Sequence, residues 1–567
     1  MRTLTLILLG IFSSFALDAL PVQMFPPGHP VIRDLRFIQR EQGISFVSLT
    51  PPFSSYEVRL ILERVREQSL SGPGRAAYSR ILRALDPKPR FSAGFFSADA
   101  HGQIGLQGRF RSNTDVAWTR GSGGTNSSWK ESFIPALLKL EVNFYFADVI
   151  ALNAEPGVTA DPAFSGAEDA SFAHNIPLGI DYVDANSPFR AFGALGGPWW
   201  NVQIGRDRAS FGPGVTGNLT LSDNPDFYDF LRISLFPENF KYSFFIAQFP
   251  LSDGEHQGHS LFSQDVPDHT LHESVNRYMF LHRTDFRLFG RVSLNLTEAV
   301  MIGEDGLSLR YLNPFMIYHS FYSWNDYPRW RTDDSPGKST LTGSMLAAEI
   351  EWAVGPSISV HGQWMMNEAA FPNELAEPGG PSPNAMGWLA GIEYARALKD
   401  WGLIAYFEGV YTDPYLYILS SPFASFISMR RLSQSVKPEY GPADAYANEQ
   451  LRYQWIGYGE GRDAMVFAAG ASLFQRNLGF SGEISFARLG EHTILWDWRQ
   501  DQRAFEEKTP TGTPINRLII AFEGYWQIFD FLKLTGYTAQ TLLWNGDHVP
   551  GRFLTGFEMS LSAVFRY

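Results

Sequence analysis

The sequence predicts an all-β transmembrane barrel, antiparallel and of about 18 strands (about 16 with longer loops), preceded by a small helical bundle. Three observations predict it. From Phe91 to the C-terminus, apolar residues recur at every second position. The chain opens on an export signal. No later segment supplies the ~20 uninterrupted apolar residues a spanning helix needs. An exported membrane chain without such helices must close on itself as a barrel, because lipid offers its backbone groups no partners.

Composition narrows the alternatives. The chain has 567 residues, 44% hydrophobic and 15% aromatic, no cysteine and a formal charge of −13. That length suits a few ordinary domains or one large barrel with long loops. Without cysteine there is no disulfide framework, thiolate metal site or acylation point. An acidic chain with no basic stripe excludes nucleic acid as a partner.

Residues 1–16 read as a signal peptide. Arg2 gives the positive start, Leu4 to Phe12 a short apolar run, and Ser14 and Ala16 the small-residue cleavage spacing. Residues 17–90 read as a periplasmic helical bundle or plug. Ser54 and Glu57 have capping-box spacing, and Val58, Ile61, Leu62 and Val65 follow at helical intervals. Ser71-Gly72-Pro73-Gly74 breaks that helix. Tyr78, Ile81, Leu82 and Leu85 mark a second, which Pro87 and Pro89 stop. Two such helices bury little surface alone, so they should pack on a barrel rim or lumen.

Residues 91–567 read as the barrel. In the last strand Phe557, Met559, Leu561, Ala563, Phe565 and Tyr567 alternate with Glu558, Ser560, Ser562, Val564 and Arg566. One face suits lipid, the other a polar interior. The terminal Tyr567 resembles the signal that such barrels present to the outer-membrane insertion machinery. The same alternation recurs at Leu138–Phe146, Leu231–Leu235, Ala348–Trp352, Leu403–Phe407, Leu478–Phe486 and Leu518–Trp526. Long polar stretches fall near 155–188, 252–276, 325–343, 367–385, 412–462 and 490–516; in such barrels long loops are extracellular. Parity places Glu141, Glu349, Glu351, Glu408, Glu483, Glu523 and Glu558 inside, with Lys139, Arg232, Lys241, Arg283, Asp285 and Arg287. Both signs in similar numbers predict a lumen filled by a salt-bridge lattice, hence a narrow or plugged barrel in preference to an open channel.

Catalytic chemistry finds no support. His256, His259, His269 and His272 pair at a spacing of three beside Glu273, not the i, i+4 of a metal helix. Asp333-Asp334 and Trp496-Asp497-Trp498 offer carboxylates, but no spacing selects a glycosidase pair. No nucleophile elbow, phosphate loop or dinucleotide fingerprint occurs in its required context. No catalytic residue, metal or cofactor is expected.

One stretch is distinctive. Trp199-Trp200 leads through Gly205-Arg206-Asp207-Arg208 to Phe211-Gly212-Pro213-Gly214, then Leu219-Thr220-Leu221-Ser222-Asp223-Asn224. With His29-Pro30-Val31, Thr50-Pro51-Pro52 and Arg310-Tyr311-Leu312-Asn313-Pro314-Phe315, it resembles the Wzi capsule-assembly family of outer-membrane proteins. The resemblance implies an 18-stranded barrel with a helical bundle at the periplasmic mouth. It further implies a non-catalytic surface lectin that binds or organises capsule-like polysaccharide. Phe211 stands where the family often has Trp, and Asp223 where a second Asn is common. Partners implied are outer-membrane lipid and surface polysaccharide; the alternative is a substrate-selective porin. The candidate ligand residues are Trp199, Arg206, Asp207, Arg208, Asp223 and Asn224. Trp199 also fits an aromatic girdle at the bilayer interface. Strict parity would aim Arg206 at lipid, so either Gly205 marks a bulge or the strand has left the membrane there.

Overall fold

Segments that alternate apolar and polar pair in antiparallel register and close on themselves. The computed structural model describes residues 22–86, 89, 91–117, 119, 135–147, 149–160, 171–177, 183–184, 187–251, 275–303, 311–313, 315–318, 342–368, 384–418, 424–431, 451–494 and 507–567. The signal peptide, the paired histidines and the Trp496 and Asp333 regions lie outside these residues.

The wall runs β1 (Phe96–Arg111), β2 (Leu138–Phe146), β3 (Ile150–Ala154), β4 (Ala191–Gly197), β5 (Trp200–Asp207) and β6 (Tyr228–Leu235). It continues through β7 (Phe240–Leu251), β8 (Val275–Leu288), β9 (Val292–Gly303), β10 (Thr342–Gly355), β11 (Ile358–Glu368) and β12 (Ala385–Leu398). It ends with β13 (Trp401–Thr412), β14 (Ala464–Phe474), β15 (Leu478–Leu489), β16 (Ile515–Phe529), β17 (Leu532–Trp544) and β18 (Phe553–Arg566). Among the described residues these eighteen strands form one closed antiparallel barrel, sealed where β18 pairs with β1, Glu558 opposite Arg111 and Arg566 opposite Gln103. Every hairpin turn at one end is short, and the connections at the other are long except for the eight residues between β17 and β18. Outward positions such as Leu140, Phe407, Phe480, Phe522 and Leu561 are exposed, as a wall in lipid requires. No described helix is long and apolar enough to cross a membrane.

The plug holds three helices: α1 (Pro30–Gln42), α2 (Ser55–Leu62) and α3 (Gly72–Leu85). Ser54 caps α2 by accepting from the Glu57 N–H. Val65 lies beyond its end. The Ser71–Gly74 run expected to break a helix instead starts α3, because Ser71 accepts from the Gly74 N–H and Pro73 suits the first turn. The sequence reading missed α1 altogether. Its signals are a His29 cap, Pro30 in the first turn and Gly43 after the last. Gly43 sits at φ 66°, and a Cβ there would meet the Gly355 carbonyl carbon at 2.7 Å, so this end of α1 is docked against the β10–β11 turn. Val31, Leu35, Ile38, Val58, Ile61 and Ile81 pack together and against Ala395 and Phe474 of the wall, at the short-turn end.

Charged pairs hold the plug to the wall. Arg40 is buried and reaches Glu351 at 2.5 Å and Glu393 at 3.0 Å. Burial opposes its charge, but these two carboxylates outweigh that and hold the guanidinium above its ordinary pKa. Lys241 pairs with Glu57 and donates to the Thr50 hydroxyl at 2.7 Å. Arg232 donates to the carbonyls of Thr50, at 3.1 Å, and Pro52.

His29 is expected to make docking of the plug depend on pH. Burial, then the nearby Arg190, pushes its pKa down to about 4 from 6.5, while Asp34 and Glu155 pull the other way. Its Nδ1 accepts from the Val31 N–H at 3.2 Å, which needs the neutral ring. The undocked form then binds protons more readily between the two values, so docking strength is full above pH 6.5 and falls toward pH 4. Limited proteolysis of residues 22–86 should therefore accelerate between pH 7 and pH 4.5. His29→Asn, which keeps a cap, should flatten the response; an unchanged profile would refute this role.

The lumen content corrects one expectation. The inward register of the named Glu, Lys, Arg and Asp positions holds, but a salt-bridge lattice does not fill the barrel. Charges form a layer near the plug, Arg283 between Asp285 and Glu349 at 2.7 Å each. Toward the long-loop end the interior along β6–β15 is mainly apolar, with Arg277 on β8 a buried exception. The β5–β6 connection (208–227) and the described residues 413–418, 424–431 and 451–463 between β13 and β14 fold inward and bury Phe211, Leu219, Leu221, Leu416, Tyr417 and Ile456 there. Four methionines line the facing wall: Met279 and Met301 are direct cross-strand partners, with Met345 and Met365 beside them, all fully buried. Unbranched thioethers fill the irregular gap between a curved wall and a folded segment. The opposite wall differs. On β16–β18 and β1–β2, inward Glu141, Asn143, Glu523, Thr535, Ser560 and Ser562 are half-exposed, and His101 is 48% exposed.

Candidate functional site at the long-loop mouth

The β5–β6 connection organises this end. Ser210 and Gly212 donate to the carbonyls of Pro51, at 3.0 Å, and Leu49, at 2.8 Å, so the segment descends to touch the plug. Gly212 sits at φ 134°, where a Cβ would collide with the Gln363 side chain. Glu408, on β13, then accepts from the N–H groups of Val215, at 2.8 Å, and Thr216, at 2.9 Å, from the Thr216 hydroxyl, and pairs with His361 at 2.8 Å. Gln363 accepts from the Leu219 N–H at 2.9 Å, and the Tyr417 hydroxyl donates to the Leu219 carbonyl at 2.7 Å.

A short hairpin lies on this filling, Ile427–Arg431 paired with Leu451–Trp455. Arg277, buried on β8, holds it by donating to the carbonyls of Ser425, at 2.8 Å, and Ile427, at 2.5 Å. Asn224 holds its far strand, donating to the carbonyls of Gly457, at 2.5 Å, and Trp455, at 3.4 Å. Asn224 is thus a latch between two inward segments.

The structure brings five of the six candidate residues to this mouth and separates the sixth. Trp199 lies in the β4–β5 turn at the short-turn end, 54% exposed, its carbonyl accepting from Phe236 at 2.7 Å. The length of β5, roughly 3.3 Å per residue, divides it from Arg206. It is a rim aromatic. Asp207 is fully buried and faces inward, binding Arg190 at 2.7 Å and Gln203 at 2.9 Å; Arg190 binds Glu155 at 2.7 Å, which binds Lys139 at 2.9 Å. Arg208 pairs with Asp223.

Arg206 settles the parity question. Register with β6 runs unbroken from Trp200 opposite Leu235 to Asp207 opposite Tyr228, so Gly205 marks no bulge there. Arg206 keeps its outward direction at the strand end. It forms a bidentate pair with Asp229 at 2.8 and 2.9 Å, and its guanidinium lies 3.8 Å over the Phe227 ring. Phe227 stacks on Phe189 at 5.8 Å, and Arg430, from the inner hairpin, lies 5.0 Å over Phe189. Arg430 also pairs with Asp184 and Asp226. The result is a column of guanidinium, ring, ring and guanidinium flanked by carboxylates. Sequence reading found Arg206 but not Phe189, Phe227 or Arg430, which come from separate connections and meet only in the fold.

This closed barrel, apolar outside and reached through long loops at one end, is a bacterial outer-membrane protein. Among solved structures it is similar to Wzi of Escherichia coli, described as a carbohydrate-binding β-barrel of the outer membrane involved in group 1 capsule assembly. That match has a TM-score of 0.54 at 14% identity, covering 95% of this chain and 98% of that one. Weaker likeness links it to OprD of Pseudomonas aeruginosa, TM-score 0.39, 8% identity, 85% and 99% covered. OmpT of Vibrio cholerae gives TM-score 0.32, 8% identity, 84% and 99% covered. At these identities the likeness concerns the fold alone. No family model and no curated protein matches the sequence.

Proposed function

We propose that this protein is a non-catalytic barrel that binds or organises surface polysaccharide at its long-loop mouth. Long loops of outer-membrane barrels face outward and short turns face the periplasm, which supports a periplasmic position for the plug. The observation that carries the reading is the Arg206–Phe227–Phe189–Arg430 column with Asp184, Asp226 and Asp229 around it. The ring faces are covered by the guanidinium groups and by each other, so the column offers ring edges and planar, bidentate polar groups to the C–H groups and hydroxyls of sugars. The apolar filling beneath favours a surface role over flow. Tyr567, at the end of β18, is proposed to serve the insertion machinery.

The test is retention of the organism's own polysaccharide by purified protein, compared with F189A/F227A. Each ring is worth about 0.5–1.5 kcal/mol in such contacts, so the double variant should bind ~10-fold or more weakly. Equal retention by both proteins would reject the site. A deletion strain should shed polysaccharide that the parent retains. The second reading, a selective porin, is favoured by the half-exposed inner wall on β16–β18 and β1–β2. Large, stable conductance by the intact protein in planar bilayers would establish it in place of the first.

A further inference from the structure

One face of the wall is covered from the outside. Phe244, Ile246, Phe280, Val300 and Ile302 have the opposite parity to inward Lys241, Arg283, Met279 and Met301, so they point away from the lumen. Elsewhere such positions are exposed: Leu296, on the same strand as Val300, is 59% exposed. These five are buried instead, because Tyr311 and Tyr318 of the β9–β10 connection pack on them, with Leu312 and Met316 partly buried beside them. The Tyr311 ring lies 5.3 Å from that of Phe280. Tyr318 stacks 4.8 Å from His282, which pairs across the strands with Glu298 at 2.8 Å. An outward pair of this kind is costly against lipid, and the Tyr318 ring shields it. Residues 311–313 and 315–318 thus form a strap on the outer wall, and they include part of the Arg310–Phe315 run that is distinctive in the sequence.

We infer that this strap is a membrane anchor, seated at the headgroup–acyl boundary of the leaflet on the long-loop side. Its hydrophobic side chains do not all turn to the wall: Phe315 is 88% exposed and Ile317 64%. The surface around it faces lipid, with Phe286, Leu294 and Leu296 exposed on the same outward face of β8 and β9. Acyl chains are therefore the medium that Phe315 and Ile317 meet. Depth follows from the strand beneath. Val300 lies eight residues beyond Val292, about 26 Å along β9 and about 20 Å in height at the usual tilt, where the apolar band of such barrels is about 25 Å tall. The strap pairs with no strand of the wall, and irregular backbone is not tolerated in the hydrocarbon, which confines it to the boundary. Part of its polar content closes on itself. The Asn313 side chain accepts from the Phe315 N–H at 3.1 Å, the Asn313 carbonyl from the Met316 N–H at 3.2 Å, and the Tyr311 carbonyl from the Tyr318 hydroxyl at 3.0 Å. Apolar side chains that dip from such a turn hold acyl chains as an interfacial anchor does. The inference concerns the outer wall and does not depend on the sugar site at the mouth.

The chain has no cysteine, so single labels report depth directly. The barrel with its plug is folded into phosphatidylcholine vesicles as F315C or I317C, each carrying an environment-sensitive fluorophore. The vesicles contain lipids with a nitroxide either near the headgroup or near the chain end. Lys508→Cys, exposed in the β15–β16 connection, and Leu561→Cys, on the bare wall, give the water and mid-chain references. The expected result is blue-shifted emission from both strap labels relative to Lys508→Cys, and stronger quenching by the headgroup-side nitroxide than by the chain-end one. Leu561→Cys should show the reverse order. Adding Tyr318→Ala to I317C should lift the strap and reduce its quenching, while unchanged mobility of the unheated protein on gels shows that the barrel is closed. Emission and quenching like those of Lys508→Cys would put the segment in water and overturn the inference. Stronger quenching of the strap labels from the chain end would overturn the boundary position, and unchanged quenching with Tyr318→Ala would overturn the seat on the wall.

Discussion

Glu408→Ala is expected to release the β5–β6 connection from the lumen while leaving the wall closed. The side chain is fully buried and serves two backbone N–H groups, one hydroxyl and His361. Removing it strands all four in a medium that offers no substitute, a loss of roughly 3–5 kcal/mol. The wall's ladder does not depend on it, so cold gel mobility should stay that of a folded barrel. The urea midpoint followed by fluorescence, which senses the buried Trp455 and Tyr417 beside this segment, should drop. Conductance in planar bilayers should rise or become noisy as the filling loosens. Glu408→Gln keeps the shape but turns one acceptor into a donor facing donors, so a smaller loss is expected. An alanine variant with wild-type urea midpoint would show that Glu408 does not hold the segment.

Arg40→Ala is expected to undock the plug. The guanidinium is fully buried between Glu351 and Glu393, and Arg36 reaches Glu393 only at 3.3 Å. Truncation leaves Glu351 without its cation in the interior, a loss of about 3–5 kcal/mol. Residues 22–86 should then be cleaved by added protease far faster than in the wild type, while the barrel resists. The triple change R40M/E351L/E393L should recover much of the protection, because a buried ionic cluster replaced by apolar groups often costs little. Cleavage of Arg40→Ala at the wild-type rate would exclude this cluster as the anchor.

Much of the wall was legible because its chemistry is local. Lipid demands an apolar residue at every second position, and β18, β2 and β15 print that demand directly. The inward parity of Glu349, Glu351 and Glu408 followed from the same rule. What those carboxylates do was not legible. Their partners, Arg40, Arg283 and Thr216, lie far away in the chain and reach them only after closure. Helix α1 was hidden for the same reason: Asp34, Gln39 and Arg40 are buried polar residues, which blur its apolar stripe. Arg206 was recognised as anomalous, but its answer, Asp229, lies on the next strand and not in a local bulge. The inward course of 208–227 could not be read from Gly212-Pro213-Gly214 alone, since Gln363 and Tyr417 decide where Leu219 goes.

Arg232 and Arg277 hold their charges through main-chain oxygens, of Thr50 and Pro52 in one case and of Ser425 and Ile427 in the other. A grip on carbonyls is indifferent to which amino acid supplies them. These particular contacts therefore tolerate sequence drift in the held segments, although Thr50 also serves Lys241 through its hydroxyl and Ile427 is packed in the core. A foreign hairpin of the same length could be grafted above β8, and new binding specificities could be selected there without redesigning the cylinder beneath.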